Sequence, residues 1–202
     1  MEYGIGRRER KKAATRKALA DAALQLFSER GFDEVGVKEV AEAAGVSLTT
    51  LFKYFPSKES LVFDQAEESE AALVAAVCQR APGQSVLDGL HMRLRSMLVA
   101  MPSSEPELSS YLELVDSTPA LRAYSRRLWL DQEDALTAAI SKELDRDPAD
   151  VEVRALARFA LEIRLLARDT PDPLAAVDTL FGLLTHGWGR LASATDDSPS
   201  NA

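Results

Sequence analysis

The stretch VKEVAEAAGVSLTTLFKYFPSKES, residues 37–60, constrains the fold of this 202-residue chain more than any other part. Val37, Val40, Ala41 and Ala44 fall at i, i+3, i+4 and i+7, one narrow apolar stripe on a helix of about two turns. Gly45 supplies the positive φ that ends a helix without a Cβ clash. Ser47 is placed to cap a second short helix, its hydroxyl accepting a free backbone N–H. That helix carries Leu48, Leu51 and Phe55 on its apolar face and Thr49, Thr50 and Lys53 on the other. Pro56 stops it, because proline cannot continue the hydrogen-bond ladder. Ser57 then starts a third helix, with Glu59 in a first turn where the helix dipole favours negative charge. The small Ala43 and Ala44 let the two short helices cross closely.

A sharp crossing of two short helices is the outline of a helix-turn-helix, which pushes its second helix into a major groove. An ordinary tight corner in an all-α protein would need the same crossing, but not a polar second helix. A preceding helix is expected over residues 13–30, with Leu19, Ala22, Ala23, Leu26 and Phe27 as its core face. Gly31 ends it and Phe32 tucks back as the trailing hydrophobe. The three helices would form one braced unit.

The segment 16–61 resembles the DNA-binding domain of TetR-type transcriptional regulators. The matching pieces are Ala22-Ala23 with Leu26-Phe27, Arg30-Gly31-Phe32, the run 41–47, Leu51, and the run 54–61. Three positions depart from the family pattern. Gly36 stands where Thr is common, and offers no hydroxyl to a phosphate. Thr49 stands in place of Gly and adds a hydroxyl and a methyl. Phe52 stands in place of Tyr and loses a phenol. The resemblance implies that Thr49, Thr50 and Lys53 face bases or flanking phosphates. Lys38, Ser47, Tyr54 and Lys58 would position the DNA backbone, and Arg7 and Arg8 would add non-specific charge.

The net charge of −8 opposes a DNA-binding reading until its distribution is considered. Residues 1–62 hold 11 Lys/Arg against 9 Asp/Glu, whereas the remainder holds 13 against 23. The first 17 residues alone carry 7 basic and 2 acidic side chains. Such a chain can approach a polyanion only by its N-terminal end. Residues 1–12 read as a mobile basic tail, either tracking DNA or simply solvated. Cys78 is the one cysteine, so no intramolecular disulfide forms, and its apolar neighbours predict a small core residue. With no apolar run of membrane-spanning length and no apolar signal region, a soluble cytoplasmic protein is expected.

The fold class expected is all-α, a three-helix helix-turn-helix head followed by a helical effector-binding and dimerisation domain, about nine helices in total. The boundary is placed at residues 62/63, inside a helix expected over 57–80, because the charge balance changes there. Further helices are expected over 85–100, 107–115, 118–144, 147–167 and 174–192. A disordered tail follows from residue 193.

Two of these helices carry long apolar seams. Leu174, Val177, Phe181, Leu184, Trp188 and Leu191 recur at alternating spacings of three and four; Val153, Leu156, Ala160, Ile163 and Ala167 recur on the preceding helix. TetR-like proteins dimerise through a four-helix bundle of this pair, so these faces are the expected homodimer interface. Packing on the domain's own core is the competing reading. One helix-turn-helix also buries too little surface for strong specificity, and dimers read two half-sites.

TetR-like proteins enclose a pocket for a small, often apolar molecule in the second domain. Met97, Met101, Leu112, Tyr124, Leu128, Trp129 and Phe159 are its expected lining, since aromatic and Met side chains stack and adapt. His91 and His186 share no metal-ligand spacing with each other or with Cys78, and a surface or interface role is expected for both. No Gly-rich phosphate loop, nucleophile elbow or His-x-x-x-His pair appears, so neither an enzyme nor a cofactor is expected. The function expected is a ligand-responsive, homodimeric repressor on double-stranded operator DNA. The alternative is a helix-turn-helix activator or architectural binder without a small-molecule effector.

Overall fold

Glycine and proline punctuate a chain that is otherwise helical. The computed structural model describes residues 6–100, 105–168 and 170–187. Among these the helices are α1 (Arg7–Arg30), α2 (Val37–Ala43), α3 (Leu48–Tyr54), α4 (Ala66–Cys78), α5 (Val86–Ala100), α6 (Glu105–Ser117), α7 (Pro119–Leu144), α8 (Val151–Arg168) and α9 (Pro173–His186). A 3-10 turn, Glu59–Leu61, lies between α3 and α4. The all-α expectation holds for the described residues.

Several boundaries differ from the sequence reading; α9, for one, ends at His186 with Gly187 as its cap. α1 starts at Arg7, so Arg7, Arg8, Arg10, Lys11 and Lys12 are helical rather than a loose tail. The helix expected over 57–80 is broken. Ser57 and Ser60 bond each other's backbone N–H groups at 3.2 and 3.3 Å, and the Ser60 hydroxyl donates to the Ser57 carbonyl at 2.7 Å. Such local side-chain bonds offer the backbone an alternative to the α-helical ladder. α8 begins at Val151 because Asp147 and Asp150 accept the N–H groups of Ala149 and Glu152 at 2.7 and 2.9 Å. The expected tail from residue 193 lies outside the described residues.

By packing, the chain divides into two compact units: residues 1–69 with 103–131, and residues 70–102 with 132–202. The sequence boundary at 62/63 did not anticipate that α6 and the first half of α7 group with the head. The first unit is built on Leu19, Ala23, Phe27, Val35, Val40, Leu51, Phe55 and Leu61, all buried, with Leu114, Val115 and Leu121 joining them. In the second unit α9 packs on both α5 and α8. Gly89 lets α5 approach α4: a Cβ there would sit 2.2 Å from the Ala76 carbonyl oxygen. Arg158 bonds the buried Glu133 through two nitrogens, at 3.0 and 2.8 Å, linking α8 to α7. Cys78 is exposed rather than in the core, and Leu73 and Val77 take the buried positions of α4.

Candidate nucleic-acid interface

The turn between α2 and α3 forms by a specific hydrogen-bond pattern. Gly45 adopts φ +67°. Its N–H donates to the Glu42 carbonyl at 3.0 Å, and the Val46 N–H donates to the Ala41 carbonyl at 2.9 Å. This pair of bonds satisfies the free carbonyls at the end of α2, and Val46 closes it by packing on the core. Ser47 then caps α3: its hydroxyl accepts the Thr50 N–H at 3.1 Å and lies 2.8 Å from the Thr50 hydroxyl. α2 is capped in turn by Glu39, which accepts the Gly36 N–H at 2.9 Å and the Arg30 guanidinium at 2.6 Å. The Gly36 N–H, and then Arg30, hold the Glu39 carboxyl below its ordinary range.

With its ends fixed, α3 turns Leu51 into the core, where Phe55 follows it, and presents Thr49, Phe52 and Lys53 outward. Thr50 is half-buried and tied to Ser47. Tyr54 is half-buried and packs on the core of the head. Lys38 is exposed on α2, with Glu42 at 3.8 Å. Arg7 and Arg8 are exposed on the first turn of α1. Arg16 binds Asp64, donating to its side chain at 2.5 Å and to its carbonyl at 2.7 Å, and lies over the Phe55 ring.

Two residues stand elsewhere than expected. Lys58 does not point freely to solvent: its ammonium donates to the Phe32 carbonyl and lies 4.2 Å over the Phe32 ring. Leu48, assigned to the apolar face of α3, is exposed. The 3.6-residue period places Leu48 on the edge of that stripe, so spacing alone could not decide it.

The remaining candidates fall on both units. Leu112, Tyr124, Leu128 and Trp129 are half-buried in the first. Tyr124 stacks on Phe63 at 5.4 Å and carries Arg127 over its ring. Met97 is half-buried in the second unit, and Phe159 is 51% exposed on α8 instead of lining an interior. Met101 and Trp188 lie outside the described residues. Of the expected dimer seam, Val153, Ala160, Ile163, Val177 and Phe181 are buried within the chain. These five side chains pack inside this unit. Leu156, Leu174 and Leu184 remain half-buried. Leu156, Phe159, Leu183 and Leu184 line a shallow cleft of about 300 Å³. His91 stacks on Phe181 at 4.7 Å and meets Asp178 at 2.6 Å, and His186 meets the Gly182 carbonyl at 3.1 Å.

The sequence profile described as "Bacterial regulatory proteins, tetR family" matches residues 19–64, the segment that forms this head. Beyond the head, the chain is 30% identical over 178 residues to the HTH-type transcriptional repressor Rv1474c of Mycobacterium tuberculosis (strain ATCC 25618 / H37Rv), covering 82% of this chain and 89% of that protein. The chain belongs to the tetR family of bacterial regulatory proteins. Another relative is the HTH-type transcriptional regulator TcmR of Streptomyces glaucescens, 33% identical over 131 residues, 61% of this chain and 58% of that protein. Among solved structures, NalD, the secondary repressor of the MexAB-OprM multidrug efflux pump in Pseudomonas aeruginosa, shares the fold. It is 20% identical with a TM-score of 0.56, over 88% of this chain and 97% of that one. TetR-family membership makes this chain a DNA-binding transcriptional regulator and not an enzyme. Among the described residues no helix is long and apolar enough to cross a membrane.

Proposed function

We propose that this TetR-family regulator is a homodimeric repressor that holds a palindromic operator through α3 and releases it when a small lipophilic effector binds. One observation carries the reading: α3 is fixed by the Gly45 turn, the Ser47 cap and the buried Leu51, while Thr49 and Lys53 stand exposed on its outer face. A rigid helix with free polar tips suits readout of base edges and their flanking phosphates, and exposed Lys38, Arg7 and Arg8 suit the phosphates further along the backbone.

The dimer surface would be the outer face of α8 and α9 rather than the buried seam. Phe159 and Leu166, 51% and 56% exposed, join Leu156, Leu183 and Leu184 there. Half-buried Tyr124 and Trp129 on α7 are the proposed effector contacts. Release is linkage: an effector that prefers a dimer with mis-spaced heads weakens operator affinity by that preference, tenfold for about 1.4 kcal/mol.

The test is a gel-shift titration on the promoter fragment upstream of the chain's own gene, repeated with lipophilic cations and acyl thioesters that raise the thermal midpoint. Retarded complexes dissolved by a midpoint-raising compound support the reading. A midpoint-raising compound that leaves the complex intact contradicts ligand-driven release.

A further inference from the structure

Two large apolar side chains stand outward on α3. Leu48 and Phe52 are 40% and 48% exposed, whereas Leu51 and Phe55 are buried. Four residues apart, Leu48 and Phe52 lie one above the other on the same helix face. Thr49 and Lys53, also exposed, form the neighbouring row. Phe52 carries no phenol and Leu48 no polar atom, so neither side chain can bond a phosphate or a base edge.

The major groove offers such side chains one apolar partner on its base edges. Adenine, guanine and cytosine present donors and acceptors there, and thymine adds a C5-methyl. Covering a donor or acceptor with a phenyl ring removes its water without replacing the bond. Covering a methyl removes apolar surface from water on both sides. Attraction to phosphate is available from exposed Lys53, Lys38 and the basic first turns of α1, which leaves this pair free to discriminate.

We infer that Leu48 and Phe52 read thymine methyl groups in each operator half-site, an inference that rests on the DNA-binding role of α3 proposed above. Four residues of helix advance about 6 Å, close to two base-pair rises of about 3.4 Å. The half-site therefore carries two thymine methyls about two steps apart, one under each side chain.

The experiment selects tight-binding duplexes from a random-sequence library with the full chain. The recovered sequence is then resynthesised with deoxyuridine replacing one thymine at a time. Removing a read methyl is expected to weaken the wild-type chain roughly fourfold per methyl. Phe52→Ala or Leu48→Ala should abolish the thymine-to-uracil ratio at its own position and leave it at the other. Both side chains are exposed, and unchanged circular dichroism would confirm folding. Lys53→Ala should weaken both duplexes equally and keep the ratio. Recovered half-sites without paired thymines, a flat uracil series, or ratios that survive in both alanine variants would overturn the inference alone. A library in which no duplex is enriched would overturn the operator-binding reading together with it.

Discussion

The ammonium of Lys58 donates to the carbonyl of Phe32 and lies over the same residue's ring, so this cation serves the head's own fold. It ties the turn after α3 to the end of α1, beside the buried Phe27. Lys58→Ala should lower stability by about 1–2 kcal/mol, a midpoint drop of roughly 2–8 °C by differential scanning calorimetry. The salt slope of DNA binding should not change, because no phosphate contact is lost. An unchanged midpoint with a shallower salt slope would return Lys58 to the DNA backbone.

Lys53 should behave in the opposite way. It is exposed on α3 and has no hydrogen-bond or ion-pair partner among the described residues. Lys53→Ala should weaken duplex binding by about 1 kcal/mol or more and reduce the salt slope by about 1. Its thermal midpoint should match the wild type within about 1 °C, as expected for an exposed site away from packing. Fluorescence anisotropy at several salt concentrations measures both quantities.

Phe159 tests the proposed dimer surface. Phe159→Glu places a charge on an exposed position of α8, so the monomer fold should be kept. If the second copy covers this ring, dissociation should be favoured by about 2 kcal/mol or more, at least thirtyfold. Sedimentation velocity across a dilution series reads that change. A dimer of unaltered affinity would place the interface elsewhere.

Gly89 marks the tightest approach in the second unit. Gly89→Ala drives a methyl into the Ala76 carbonyl and the Arg80 side chain, and backbone cannot yield as a side chain can. A loss of about 1–3 kcal/mol is expected, read as a lower urea midpoint with an unchanged m-value.

Asp178 supplies a pH dependence. Arg95, and then His91, hydrogen-bond its carboxylate and hold its pKa below the ordinary 3.8. The folded chain therefore releases this proton more readily than the unfolded chain. The resulting stabilisation is complete above the ordinary value and is lost as pH falls through it toward the lower folded value. Thermal midpoints should decline below about pH 4, and Asp178→Asn should lower the midpoint near neutrality while making that decline shallower. Parallel curves for the two proteins would contradict the assignment.

The head was legible in the sequence because its signals are local. Gly31, Gly45 and Pro56 act through their own backbone and Ser47 on an N–H three residues away, and Val40, Ala41, Leu51 and Phe55 are buried as their spacing indicates. The bond of Lys58 to the Phe32 carbonyl was not legible, because that partner lies 26 residues away. For a related reason spacing alone could not separate the part of the α8 and α9 seam that packs within its own unit, Val153, Ala160, Ile163, Val177 and Phe181, from half-buried Leu156, Leu174 and Leu184. Periodicity marks a buried face but does not say whether the cover is the same chain or a second copy, and here Val177 and Phe181 are covered by their own unit. The Ser57–Ser60 turn was hidden because both residues are also good helix starters.

The most direct measurement is anisotropy of a labelled, library-selected duplex titrated with the full chain between about 50 and 200 mM salt. Affinity should fall linearly on a log–log scale with a slope steeper than about −3, from several phosphate contacts. It should exceed that for an unrelated duplex by at least about a thousandfold. Binding that ignores salt, or that treats the two duplexes alike, would contradict the claim that α3 reads an operator.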